Sequence, residues 1–231
     1  IAREFGLSRQ ELDDWALQSH LRAVAAIDAG RFKAEIASVE LPQRKGPPLI
    51  FDTDECPRRD TTVEALARLR PAFQPDGVVT AGNSPGITDG AAAVVITSRV
   101  EAEARGLRPL ARVLGYSQAA VEPLKLFTAP VFAVERLLQR LHLSIADFDL
   151  FELNEAFAAQ TVANIHALGL DPARVNVNGG AIALGHPIGC SGARVLVTLL
   201  YALMNGGRRG IAALCLGGGE AVAMAIEMEG D

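Results

Sequence analysis

From residue 109 onward, strand-like and helix-like segments alternate, and that order constrains the possible folds more than any other feature. Apolar stretches at 110–115, 149–152 and 174–177 read as strands. Helical periodicity runs from 130 to about 142, from 155 to about 168 and from about 192 to 204. Two strands at 210–216 and 221–228 close the chain, joined by Gly217-Gly-Gly219, and are expected to form a β-hairpin. Alternation of this kind predicts a layered α/β domain whose sheet is covered by helices on both faces.

The first 108 residues are less regular. Ser8-x-x-Glu11 is a capping box, and Leu12, Trp15, Ala16, Ser19, Ala23, Ala26 and Ile27 fall on one stripe, which predicts a helix ended by Gly30. From 41 to 60, prolines and charges carry turn chemistry with little periodicity, and an irregular surface loop is expected. Thr61-x-x-Glu64 caps a short helix reaching Arg70, and Ser98-x-x-Glu101 begins another. Between them, 78–80 and 91–97 read as buried strands around a loop at 82–90.

Composition excludes several classes of function. The 231 residues are 49% hydrophobic and 21% charged, enough to bury a sizeable core. A net charge of −5 leaves no basic footprint for nucleic acid, although Arg44-Lys45 and Arg58-Arg59 are local basic pairs. No apolar run reaches the roughly 18 residues of a membrane span, and the first residues lack a signal peptide's apolar core, so a cytoplasmic or matrix location is expected. Cys56, Cys190 and Cys215 show no metal-ligand spacing, so free thiols and no metal are expected.

Chemistry concentrates in the last quarter, where a histidine and a thiol sit on two glycine-rich loops. Gly185 and Pro187 flank His186, one removing a side chain and the other favouring extended backbone, so the imidazole is placed to face a cavity. The alternative reading is a packed loop histidine. Cys215 ends an apolar strand and meets three glycines, whose N–H groups suit a developing oxyanion; alone it would read as a core thiol. Cys56 and Cys190 have no comparable setting and read as structural. Asn154 lies where a strand turns into a helix, and capping that helix is its simplest role. A phosphate cradle at 185–192 is weakly indicated, since the run matches neither a P-loop nor a dinucleotide fingerprint.

Five segments, in order, resemble the thiolase family of acetyl-CoA acetyltransferases and 3-ketoacyl-CoA thiolases. They are Ala81-Gly-Asn-Ser-Pro-Gly-Ile-Thr-Asp-Gly90, Asn154-Glu-Ala-Phe157, Asn176-Val-Asn-Gly-Gly-Ala181, Gly185-His-Pro-Ile-Gly189 and Cys215-Leu-Gly-Gly-Gly219. The resemblance implies an α/β/α/β/α sandwich of two similar halves with an inserted loop domain. Residues 1–87 would be the second part of that CoA-binding loop domain, 88–108 the last strand and helix of the N-terminal half, and 109–231 the C-terminal domain. Most of the N-terminal half, with the family's acylated cysteine, would lie outside this chain, which alone should be inactive, expose an apolar face and associate.

The same resemblance implies the site. His186 would take the proton of the missing nucleophile and, with Asn154 positioning a water, form one oxyanion hole. Cys215 would move the second proton of the Claisen step, and the N–H of Gly217 would serve the second oxyanion hole. Arg58, Phe73, Ala81, Ser84, Ala156 and Phe157 would contact coenzyme A, which enters as a thioester substrate; no cofactor is implied. The complete enzyme would be a homo-oligomer, a dimer or tetramer, binding acetyl-CoA or acyl-CoA. Pro85 stands where many relatives have Ser, and Phe127 where many have glycine-containing sequence, which would narrow the acyl pocket. Two other readings are a degradative 3-ketoacyl-CoA thiolase of broader chain length and a non-catalytic CoA-binding module.

Overall fold

A computed structural model describes residues 1–230. Helix α1 (Arg9–Asp28) begins as its capping box dictates, with Ser8 Oγ accepting from the Glu11 N–H at 3.2 Å. Gly30, at φ 68°, turns the chain away beyond its end. The stretch 41–60 is more ordered than expected. Strands β1 (Val39–Leu41) and β2 (Leu49–Phe51) pair antiparallel with Glu40 opposite Ile50. Triplets this short show no period in sequence, and all six residues are exposed, so neither cue marked them.

Helix α2 (Val63–Ala67) is capped by Thr62, one residue later than expected, and α3 (Arg99–Ala104) by Ser98 as expected. The two strands placed between them do not form. Thr80 makes a single antiparallel bridge with Pro71, while 91–97 is exposed except for half-buried Ala92, Val95 to 94%, and pairs with no strand among the described residues. An apolar β-branched run records a capacity to pair, and a strand exists only where a ladder partner lies alongside.

The alternating region builds one mixed sheet. Strand β3 (Ala111–Ala120) leads to α4 (Ala129–Leu141), then β4 (Leu150–Leu153), α5 (Ala158–Leu168), the short α6 (Ala181–Leu184), α7 (Ser191–Met204) and the hairpin β5 (Arg209–Leu216) and β6 (Glu220–Met228). The strand order is β3-β6-β5-β4, with β4 and β5 parallel and the other pairs antiparallel. Both faces are covered, as the alternation predicts. Ile211, Ala213, Ala223 and Ala225 pack against Val134, Leu137 and the apolar side of α5, with Leu12 and Trp15 of α1 behind. Ala212 and Ile226 point the other way, onto Val195, Leu199 and Leu203 of α7.

The strand expected at 174–177 is reduced to one parallel bridge between Val175 and Phe151. Asn176 leaves the extended region at φ 48°, and its side chain replaces the ladder. Its Oδ1 accepts from the Leu153 N–H at 2.8 Å and its Nδ2 donates to the Leu153 carbonyl at 2.9 Å. Helix α5 likewise starts three residues later than expected, after Phe157, whose backbone at the N-cap is extended at ψ 152°.

Glu155 is wholly buried and takes four hydrogen bonds. Trp15 Nε1–H and Asn176 Nδ2 donate to Oε1 at 3.0 and 2.9 Å; the Ser19 hydroxyl and the Ile182 N–H donate to Oε2 at 2.8 and 3.0 Å. One carboxyl thus joins α1, the end of β4, the turn at Asn176 and the start of α6. A Cβ at Gly180 would lie 2.2 Å from Glu155 Cδ, so glycine is required at that approach. Glu155→Ala strands these donors in the core and is expected to lower stability by about 3–5 kcal/mol. Urea denaturation checks this, and a loss below about 1 kcal/mol would contradict it.

Candidate active site

Strands β4 and β5 run parallel, so their C-terminal ends share one edge of the sheet. Asn154 follows β4 at that edge, its N–H donating to the Ala213 carbonyl at 2.9 Å, and Cys215 lies two residues further along β5. Asn154 is buried, and its Nδ2 is 3.2 Å from His186 Nε2. It caps no helix. The N-cap position of α5 belongs to Phe157, so the amide serves the histidine instead of the helix terminus.

His186 is half-buried on the loop between α6 and α7. Gly185, at φ 94°, brings it there, and a Cβ on Gly185 would lie 2.5 Å from Thr88 Oγ1. The His186 N–H donates to the Gly86 carbonyl at 3.4 Å, which ties this loop to the one at 81–86. On the far side of the ring, Nδ1 is 2.6 Å from Ser191 Oγ. Burial, assisted by the nearby Arg194 cation, lowers the imidazole pKa from its ordinary value. Burial pushes the Cys215 thiol up, against a smaller opposing backbone hydrogen bond, so this thiol holds its proton. Gly217 follows β5, and a Cβ there would meet open space, whereas one on Gly219 would lie 2.4 Å from the Val121 carbonyl oxygen.

The residues expected to contact coenzyme A divide into two sets. Phe73 and Phe157 meet edge to face at 6.1 Å between centroids, and Phe127 packs the same way on Phe157 at 5.5 Å, next in sequence to Ala156. The Ala156 N–H donates to Gln160 Oε1 at 3.0 Å. Ala81 begins a 3₁₀ turn, and the Ser84 hydroxyl donates to the Thr80 carbonyl at 2.7 Å. Arg58 is exposed on the loop after β2, where its backbone N–H donates to His20 Nδ1 at 3.1 Å.

Sequence reasoning passed over three polar residues around this edge. Ser191 touches His186 directly, and its signal was present in the Gly-Cys-Ser-Gly run that opens α7. Glu152 and Arg194 lie 3.9 Å apart at their nearest atoms, where burial pushes Glu152 up to about 8 against the pull of Arg194. Nothing in an alternating apolar strand marks a charge that faces inward.

The family model of the thiolase C-terminal domain matches residues 107–228, and that of the N-terminal domain residues 1–100. The chain belongs to the thiolase family. An acetyl-CoA acetyltransferase of Pseudomonas aeruginosa is 54% identical over 227 residues, covering 98% of this chain and 58% of that protein. A probable acetyl-CoA acetyltransferase of Escherichia coli is 51% identical over 230 residues, with 99% and 58% covered. Among solved structures, the Bacillus anthracis acetyl-CoA acetyltransferase superposes with a TM-score of 0.96 at 45% identity. Human mitochondrial 3-ketoacyl-CoA thiolase gives 0.95 at 43%, and each match covers 99% of this chain and 58% of the other. This thiolase chain therefore spans about 58% of the length of its relatives. It has the thiolase fold and belongs to a family of acyltransferases. No helix among the described residues is long and apolar enough to cross a membrane.

One titration tests the electrostatics of the thiolase edge. The folded-state pKa of His186 lies below the ordinary 6.5, so between those two values the unfolded chain binds more protons. The stability linked to a neutral ring is fully present above 6.5 and is lost as pH falls through the folded value. An NMR titration of His186 is expected to give a midpoint below 6.5, and one at or above 6.5 would contradict the burial and charge argument.

Proposed function

We propose that the complete protein is an acetyl-CoA C-acetyltransferase that joins two acetyl-CoA molecules into acetoacetyl-CoA and runs the reverse thiolysis. The observation that carries this reading is the Asn154–His186 contact at the sheet edge where β5 delivers Cys215. None of Cys56, Cys190 and Cys215 lies in the family's nucleophile motif, so the acylated cysteine is assigned to a segment outside these 231 residues. In the same reading, 1–87 belongs to the CoA-binding loop domain, 88–108 to the N-terminal half and 109–231 to the C-terminal domain. In this reading the complete enzyme is a cytoplasmic homo-oligomer of fatty-acid metabolism, a dimer or tetramer, with no cofactor beyond its CoA thioester substrates.

Each step follows from the groups at this edge. His186 Nε2 takes the thiol proton of the nucleophile, whose sulfur attacks the thioester carbon; the C–S bond to coenzyme A breaks, and the Cys215 thiol gives its proton to the departing coenzyme A sulfur and is left as a thiolate. Cys215, as thiolate, then removes a methyl proton from the second acetyl-CoA. The resulting carbanion attacks the acyl carbon, forming the C–C bond and releasing the nucleophile's sulfur. Run backwards, Cys215 as a thiol returns a proton to the departing acetyl-CoA, a task that suits a buried thiol whose pKa is raised. His186 and a water on Asn154 stabilise the thioester oxygen while it is negative. The Gly217 N–H faces the second oxyanion, and losing one such donor costs about 3 kcal/mol of barrier.

Arg58, Phe73, Ala81, Ser84, Ala156 and Phe157 hold coenzyme A in this reading. The Phe127 ring against Phe157 favours a short acyl chain over the broader range of a degradative 3-ketoacyl-CoA thiolase. Purified complete protein is expected to cleave acetoacetyl-CoA faster than longer 3-ketoacyl-CoA thioesters. The reverse order would favour the degradative reading. Cys215→Ala is expected to lower the thiolysis rate by about 10²–10⁴-fold, and an unchanged rate would remove Cys215 from the mechanism.

A further inference from the structure

We infer that Ser191 is a positioning residue that locks His186 in the Nδ1–H tautomer, leaving the lone pair on Nε2. Two contacts define the serine's role. Its Oγ lies 3.0 Å from the Pro187 carbonyl oxygen and 2.6 Å from His186 Nδ1. A carbonyl has no proton to give, so in the first contact the hydroxyl donates. A hydroxyl has only one proton, so toward the ring Ser191 presents a lone pair and Nδ1 must carry the hydrogen. A neutral imidazole then has a bare Nε2.

The other end of the ring agrees. Asn154 Nδ2 is a donor and faces Nε2 at 3.2 Å, which is a hydrogen bond only if Nε2 accepts. Donor geometry at both ends thus selects one tautomer, and the lone pair lies on the nitrogen at the sheet edge that carries Asn154. Burial and Arg194 keep the ring neutral, so tautomer choice decides which nitrogen works as the base.

The lock is rigid because its parts belong to one short closed segment. Ser191 is fully buried at the first position of α7, and its N–H, like that of Cys190, donates to the Pro187 carbonyl, at 2.9 and 2.8 Å. Pro187 restricts the backbone next to the histidine, and only four residues separate the histidine from its hydroxyl partner. Ser191 therefore acts through His186 and needs no contact with substrate. Its consequence for turnover rests on the thiolase reading above, while the tautomer itself does not.

Long-range ¹H–¹⁵N correlation spectra of the ¹⁵N-labelled protein, taken above the ring's titration range, report which nitrogen is protonated. His186→Asn identifies the signals of that ring among the four histidines. The wild type is expected to show the Nδ1–H pattern, and Ser191→Ala to move a measurable fraction to Nε2–H. If Ser191→Ala does not fold, Ser191→Cys repeats the comparison with a similar volume and a much weaker acceptor. An Nε2–H wild type, or a variant whose tautomer population is unchanged, would overturn the inference. In the active protein kcat is expected to fall by as much as about 10⁴-fold with KM nearly constant, the scale on which a wrong histidine tautomer disables an acid–base pair. The spectra need no turnover, so a protein that passes them and yet cleaves no 3-ketoacyl-CoA sinks the functional reading alone.

Discussion

The buried carboxyl of Glu155 is the interaction on which the rest of the site depends. Four donors from three segments converge on it in a core that offers them no water. Satisfying those donors draws α1 against the end of β4, fixes the turn at Asn176 and places the start of α6. The residue immediately before it in the chain, Asn154, then has little freedom. Its amide is delivered to the sheet edge, and the loop that leaves α6 carries His186 to meet it. A polar hub at the centre thus sets the geometry of the candidate site at the sheet edge beside it.

The edge itself combines opposite protonation demands. Burial acts on both His186 and Cys215, and because it disfavours charge it keeps the imidazole unprotonated and the thiol protonated. An uncharged ring and a protonated thiol near neutral pH therefore share one physical cause. Arg194 strengthens the first effect. It also faces Glu152, whose carboxyl burial pushes up to about 8, so positive charge near the histidine is only partly offset. Ser191 and Asn154 then decide which face of the ring is available.

Much of this was legible in the sequence wherever a local rule governs. Ser8 and Ser98 cap their helices as read, Gly217–Gly219 turns the final hairpin, and alternation from 109 gave a sheet covered on both faces. His186, Asn154 and Cys215 stand out because their glycine-rich or strand-end settings are unusual locally, and the structure brings Asn154 against His186. Elements that depend on distant partners were misread. The run 91–97 looks like a strand but has no neighbour among the described residues to pair with. At Asn176 a side chain takes the place of a strand, and β1 and β2 are too short for a period to show. Glu155 lay inside a quoted motif, yet its four partners are up to 140 residues away, beyond the reach of any local pattern.

The central claim is that the ends of β4 and β5, held by Glu155, form the reacting edge for a CoA thioester. A crystal structure of the complete protein with acetoacetyl-CoA bound tests it most directly. The thioester oxygen is expected within hydrogen-bond distance of His186 Nε2, and Cys215 Sγ in contact with the carbon that exchanges a proton. A thioester bound away from the Asn154, His186 and Cys215 edge, with coenzyme A elsewhere on the molecule, would contradict it.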